Sequence, residues 1–186
     1  MDLRYARILS LSEPSGRRVR HSGLSCPTVA TYETVLQIPR SVDEVFAFVS
    51  DYRNAAAWDP RTYAVEKTTE GPIGIGTRFV LTGGLLREDL VKRIHLPRRL
   101  AGMALPYDMT TFDPPNEFTL EGESWAVRYR DHLEFSAQGA GTRLRYAAEL
   151  ELKGPMALGE PLMRRTFQRI GDDATRDLPA VVERGA

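Results

Sequence analysis

WAVRYRDHLEFSAQGAGTRLRYAAELELK, residues 125–153, is the stretch that decides the fold. Successive side chains on a strand point to opposite faces. On the first limb Trp125, Val127, Tyr129, Leu133 and Phe135 share one face, and Arg128, Arg130, His132 and Glu134 share the other. On the return limb Thr142, Leu144, Tyr146, Ala148, Leu150 and Leu152 alternate with Arg143, Arg145, Glu149, Glu151 and Lys153. A turn around Ala137–Ala140, with Ser136 paired to Gly141, sets Leu133 opposite Leu144, Val127 opposite Leu150 and Trp125 opposite Leu152. On the other face it sets Glu134 against Arg143 and Arg128 against Glu149. A one-residue slip would spoil both faces at once. The stretch therefore predicts an antiparallel sheet with one wet face and one buried face.

A half-polar sheet must cover its apolar side. Downstream, Gly159-Glu160-Pro161 opens a helix, with proline tolerated in the first turn. Met163, Phe167, Ile170, Ala174, Leu178 and Val181 recur on one helical face, and Pro179 predicts a kink or an end near Leu178. Upstream, Tyr32–Ile38 is strand-like and stops at Pro39. Ser41-Val42-Asp43-Glu44 has the form of a capping box, followed by the helical stripe Val42, Val45, Phe46 and Val49. Asp51-Tyr52-Arg53-Asn54 breaks that helix, and a short second helix over Ala55–Trp58 halts at Asp59-Pro60. Strands are expected over Ala64–Thr69, Thr77–Thr82, Tyr107–Phe112 and Phe118–Glu123, with a turn at Gly71-Pro72-Ile73-Gly74. The order predicts an α+β helix-grip fold: a curved antiparallel β-sheet wrapped around a long C-terminal helix, with two short helices after the first strand.

The residues that carry a family resemblance are then in view. Glu33-Thr34-Val35-Leu36-Gln37-Ile38-Pro39-Arg40-Ser41-Val42-Asp43-Glu44-Val45-Phe46 resembles the opening of the SRPBCC superfamily, which contains START, birch-pollen-allergen-like and polyketide cyclase/dehydrase proteins. Asp51 followed by Trp58-Asp59-Pro60 is similar to that family's Asp…Trp-x-Pro segment. Gly74-x-Gly76-Thr77-Arg78-Phe79, Asp113-Pro114-Pro115, Gly141-Thr142-Arg143-Leu144 and Leu152-Lys153-Gly154 follow in the family's order. The resemblance runs from Tyr32 to about Leu178 and implies fold rather than chemistry, because the superfamily mixes enzymes with ligand carriers. Two segments depart from it. Residues 1–31 form a basic, serine-rich arm with five arginines against Asp2 and Glu13, a net +3, and are expected to be poorly structured ahead of a single domain over 32–184. Residues 83–106 are an insertion where family members have a short turn. Leu86, Leu90 and Ile94 have helical spacing there, among Lys92, Arg93, His95, Arg98 and Arg99. The insertion reads as a longer hairpin or a helix on the sheet rim; the alternatives are a lid over a cavity mouth or a weak contact of residues 85–99 with an anionic membrane surface, which Glu88 and Asp89 oppose.

Composition excludes several classes. The 186 residues carry 25 basic and 25 acidic side chains, which argues against nucleic-acid binding by bulk charge. Apolar runs are too short to span a bilayer and the N-terminus has no signal-like core, so a cytoplasmic protein is expected. Cys26 is the only cysteine, so no internal disulfide is possible. His21, His95 and His132 form no ligand-spaced cluster with it, so no metal site is expected. No dinucleotide fingerprint, P-loop or nucleophile elbow is present, and no cofactor is expected.

One residue stands out. Asp131 has the parity of Tyr129 and Leu133 and, in the register above, lies opposite Tyr146. A carboxylate on a buried face must be hydrogen-bonded, solvated or neutralised, and its pKa should rise. Either it makes a structural bond to tyrosine, or a bulge turns it outward, or it is the polar anchor of an apolar cavity. Asp131 with Tyr146 or Tyr107 is the one acid/base pair the pattern offers. Trp58, Phe79, Tyr107 and Met109 are expected cavity walls from the first half of the domain. Trp125, Tyr129, Asp131 and Tyr146 are expected from the hairpin, and Met163, Phe167 and Ile170 from the helix, with Asp177 and Thr166 as flanking candidates. The favoured function is binding or transport of a small hydrophobic ligand, such as a lipid, polyketide or isoprenoid. A polyketide cyclase, aromatase or dehydratase is the second reading. A partner-binding module with a filled cavity is the third.

Overall fold

The structure, a computed structural model, describes residues 29–154 and 160–185. Seven strands form one antiparallel sheet: β1 (Val29–Ile38), β2 (Thr62–Lys67), β3 (Arg78–Gly83), β4 (Met103–Asp113), β5 (Glu117–Glu123), β6 (Val127–Gln138) and β7 (Gly141–Leu152). Their order across the sheet is β1-β7-β6-β5-β4-β3-β2, so the first strand closes against the last. α1 (Val42–Ser50), a 3₁₀ turn (Tyr52–Asn54) and α2 (Ala55–Trp58) join β1 to β2. Ser41 caps α1 as expected: its hydroxyl accepts from the Glu44 amide, and the Glu44 carboxylate accepts from the Ser41 amide at 3.0 Å. Strand β1 starts at Val29, three residues before the expected boundary, because Val29 already pairs with Glu151. The rest of the arm, with Cys26 and His21, lies outside the described residues.

The hairpin keeps its two faces but not its partners. Val127 lies opposite Leu152, Asp131 opposite Ala148, Leu133 opposite Tyr146 and Phe135 opposite Leu144. Glu134 meets Arg145 and Arg128 meets Glu151 in place of the expected Arg143 and Glu149. The register is shifted by two residues because the turn is shorter. Gly139 adopts φ +61°, and the chain reverses through Gly139-Ala140 while Ala137 and Gln138 stay in the strand. A shift of two preserves every side chain's face. Trp125 leaves the pattern altogether. Ser124 Oγ accepts from the Ala126 and Val127 amides, and this tight turn between β5 and β6 throws Trp125 outward, 80% exposed.

Upstream strands differ by a few residues from expectation. β2 spans Thr62–Lys67 rather than 64–69, and β4 begins four residues before Tyr107. Gly83 pairs with Met103, so the insertion is an excursion over 84–102 that contains α3 (Glu88–Arg93) and α4 (Arg98–Ala101). It sits on the sheet rim through buried Val91 and through the Tyr63 hydroxyl, which donates to the Leu86 carbonyl at 2.8 Å. Leu86, Leu90 and Ile94, at helical spacing, face solvent instead.

Two helices close the chain. α5 (Glu160–Arg176) stops one residue before α6 (Leu178–Gly185), and Pro179 sits in the first turn of α6. The expected break is therefore a restart, with Leu178 and Val182 buried beyond it. The concave side of the sheet has two halves. Under α1, Phe46 lies 5.2 Å from Phe135 and 5.4 Å from Phe112, centre to centre, and the space is filled. Under α5 it is not.

Candidate ligand cavity

Between the sheet and α5 lies a cavity of about 350 Å³. Strand parity directs Leu81, Leu105, Tyr107, Tyr129, Tyr146 and Ala148 into it, while Met163, Phe167, Ile170 and Ala174 supply the helical wall. Leu85, Met103 and Trp125 line it and are solvent-exposed, so it opens at the sheet end where β3 passes to β4 and β5 to β6. The interior is not filled by side chains, against the third reading. Phe79 and Met109, expected as walls, are fully buried and do not line the cavity. Phe79 packs instead against Tyr52, at 6.1 Å between ring centres, deeper under the 3₁₀ turn. The other expected wall residues do line the space, Trp125 only at its mouth.

At the inner end stands Asp131, 5% exposed, on a strand without a bulge. It does not face Tyr146 across the sheet; Ala148 holds that place. The Tyr52 hydroxyl donates to Asp131 Oδ2 at 3.0 Å, and the hydroxyls of Tyr146 and Tyr107 also turn to the carboxylate. Burial pushes the Asp131 carboxyl up to about 6, and those three phenols only partly offset it. Burial, followed by the nearby Asp131 charge, holds Tyr52, Tyr107 and Tyr146 well above the ordinary phenol range. They remain proton donors at any physiological pH. The sequence reading places Tyr52 only in a helix-breaking segment. Its position three residues after Val49 continues the buried stripe of α1, and that spacing is the available signal.

A second polar group lies nearer the mouth. Asp59 accepts from the Thr62 hydroxyl at 2.6 Å and the Arg61 amide at 2.9 Å, yet burial still raises its pKa. The Arg61 guanidinium donates to Asp173 on α5 at 2.8 Å and to the Leu85 carbonyl at 3.2 Å. One side chain thus ties the start of β2 to the helix and to the insertion. Trp58 lines the cavity, and its buried indole N–H has no hydrogen-bond partner among the described residues. Of the flanking candidates, Asp177 is exposed between the two last helices and Thr166 is half-buried outside the lining.

Among the described residues one grouping has metal-type donors, Glu117, His132 and Glu134, with ligand atoms within 4.8 Å of one another. It lies on the convex face, away from the cavity. His132 Nδ1 bonds the Thr119 hydroxyl at 2.9 Å, and Glu134 accepts from Arg145. The group belongs to a lattice of cross-strand ion pairs that also includes Arg128–Glu151 at 3.0 Å and Arg130–Glu121 at 2.9 Å.

A curled antiparallel sheet gripping a helix over an apolar pocket defines the helix-grip class of ligand-cavity folds. The sequence profile described as polyketide cyclase/dehydrase and lipid transport matches residues 29–183, and the chain belongs to that family. No protein of curated function matches it in sequence. Solved structures resemble it in fold. The protein TTHA0849 from Thermus thermophilus superposes with a TM-score of 0.63 at 16% identity, covering 84% of this chain and 99% of its own. A START superfamily protein from Mycobacterium smegmatis gives 0.65 at 11%, with 84% and 99% covered. The Zhui aromatase/cyclase from a Streptomyces species gives 0.63 at 15%, with 84% and 93% covered.

Proposed function

We propose that this protein binds a small or medium apolar molecule bearing at least one oxygen function, seated with that oxygen against the Asp131–tyrosine cluster. The observation that carries the reading is the pocket itself: apolar walls, a volume in the range of small-molecule sites, and polar groups confined to a few positions. Tyr107 and Tyr146 offer hydrogen-bond donors, the Asp131 carboxylate offers an acceptor, and Trp58 holds an unsatisfied indole N–H. A carbonyl or hydroxyl on the ligand would complement either kind. The family's description, which includes lipid transport, agrees with such a ligand. The test is mass spectrometry of small molecules released from purified protein. Recovery of an apolar oxygenated compound at near-stoichiometric yield is expected; a clean protein that also takes up no long-chain alcohol, ketone or fatty acid would overturn the reading.

A cyclase, aromatase or dehydratase is the second reading. One observation favours it: a buried carboxyl, pushed up to about 6 by desolvation, hydrogen-bonded by phenols that burial holds well above their ordinary range. Such a group exchanges protons readily with a bound substrate. Binding is preferred because the remaining polar side chains already satisfy one another, as in Arg61–Asp173 and Asp59–Thr62. The Asp131→Asn variant divides the two readings. Retained binding with abolished turnover of a poly-β-ketone substrate identifies an enzyme; binding without turnover by the parent identifies a carrier, and no effect of the variant on either leaves Asp131 structural.

A further inference from the structure

Nine large apolar side chains stand exposed among the described residues, and seven of them lie at one place. Leu85, Leu86, Leu90, Ile94, Leu100 and Met103 are on or beside the 84–102 excursion, and Trp125 is on the neighbouring β5–β6 turn. Leu85, Met103 and Trp125 meet at the cavity mouth. Leu85 is 64% exposed, Leu100 70% and Trp125 80%. A patch of this kind on a globular fold marks an interaction surface.

The charge around it is one-sided. Residues 84–102 hold Arg87, Lys92, Arg93, Arg98 and Arg99 against Glu88 and Asp89, a net +3. Both acids are already neutralised within the segment, Glu88 by Lys92 and Arg98 and Asp89 by Arg87. Among the described residues Arg93 has no carboxylate partner. Leucines, a methionine and an exposed tryptophan on a segment of net positive charge fit an anionic lipid interface, where apolar side chains enter the acyl boundary and cations meet head groups. Trp is enriched at that depth.

We propose that the mouth of the cavity docks on an anionic bilayer surface, with Leu85, Leu100 and Trp125 inserted and Arg93 at head-group level. The contact is peripheral: no helix among the described residues is long and apolar enough to cross a membrane. It also stands independently of the cavity's contents, so its failure and that of the ligand-binding reading are separate results.

The test uses the full chain with vesicles of equal parts phosphatidylglycerol and phosphatidylcholine, and with phosphatidylcholine alone. Expected is co-flotation with the anionic vesicles only, a blue shift of tryptophan emission and quenching by brominated lipid; Trp125→Phe should remove both optical signals, because the remaining Trp58 is buried. Leu100→Glu and Arg93→Glu, both at exposed positions, should each weaken partitioning by about tenfold. The proposal is overturned by absence of binding to the anionic vesicles, by binding that survives both substitutions, which would place the contact elsewhere on the chain, or by a patch that captures only a protein partner.

Discussion

Asp131 contributes to stability in a direction opposite to that of a surface carboxylate. Its folded pKa of about 6 exceeds the unfolded value of about 4. Below pH 4 it is neutral in both states and costs nothing. Between pH 4 and 6 only the unfolded chain ionises, so stability falls as pH rises; above 6 the folded state bears the full cost of a buried charge. Asp131→Asn keeps an acceptor for Tyr52 and removes that charge. We expect the variant to be more stable than the parent by about 2 kcal/mol at pH 7.5, with the gap largely closed at pH 4.5. Urea melts at the two pH values check this; a gap independent of pH would mean that Asp131 is not a desolvated titrating group. Alternation alone is enough to place this residue inside. The pattern also pairs it with Tyr146 or Tyr107, whose hydroxyls do turn to it, but not with Tyr52, which arrives from a turn 79 residues away. Arg61 and Asp59 escape the sequence for a related reason: a residue beside a proline reads as a helix stop, whatever its side chain later reaches.

Between elements, one close approach is that of α5 on β1. Gly171 faces the ring of Tyr32, and a Cβ built on it would stand 2.5 Å from the ring carbons. The Tyr32 hydroxyl bonds Thr175 at 3.0 Å, and Thr175 in turn donates to the Gly171 carbonyl. Helix propensity favours alanine at such a position by up to about 1 kcal/mol, whereas overpacking costs about 1–3 kcal/mol. Gly171→Ala should therefore destabilise the fold by about 1 kcal/mol net, lowering the urea midpoint without changing the slope of the transition. A midpoint at or above the parent's would show that α5 lifts off β1 freely. Glycine at this point is invisible in a periodicity analysis, which sees only a gap in an apolar stripe. The hairpin illustrates the same boundary. Pattern determines which face a side chain takes, but turn length determines its partner, and both a two- and a four-residue turn satisfy the same alternation.

At the level of the whole molecule, an aromatic cluster fills one half of the sheet's concavity and leaves the other half open. Composition cannot distinguish these halves, since both are lined by the same residue types; Phe79 and Met109 lie outside the cavity lining and Tyr107 within it. Ala148 lies in the open half, across from Asp131. Ala148→Phe should fill the space there and reduce ligand uptake by at least tenfold while leaving the melting temperature near the parent's, as read by displacement of a fluorescent fatty acid. If uptake persists, the ligand sits elsewhere. Occupancy should also appear in stability. A ligand at about a hundred times its Kd adds about 2.7 kcal/mol, which in a domain of this size raises Tm by about 5–10 °C. Solvent-extracted protein should melt lower than protein as purified, and readdition of the extract should restore the difference.

The pairing of β1 with β7 joins Val29 to Glu151, the most distant partners in the sheet's order of synthesis. On the ribosome β1 thus emerges with no neighbour to satisfy its amides, and stays so until β7 has been made. Long-range closure of this kind makes for slow folding and a nascent chain with a prolonged exposed edge. Until that pairing forms, β1 is the edge at which misassembly with another chain would start.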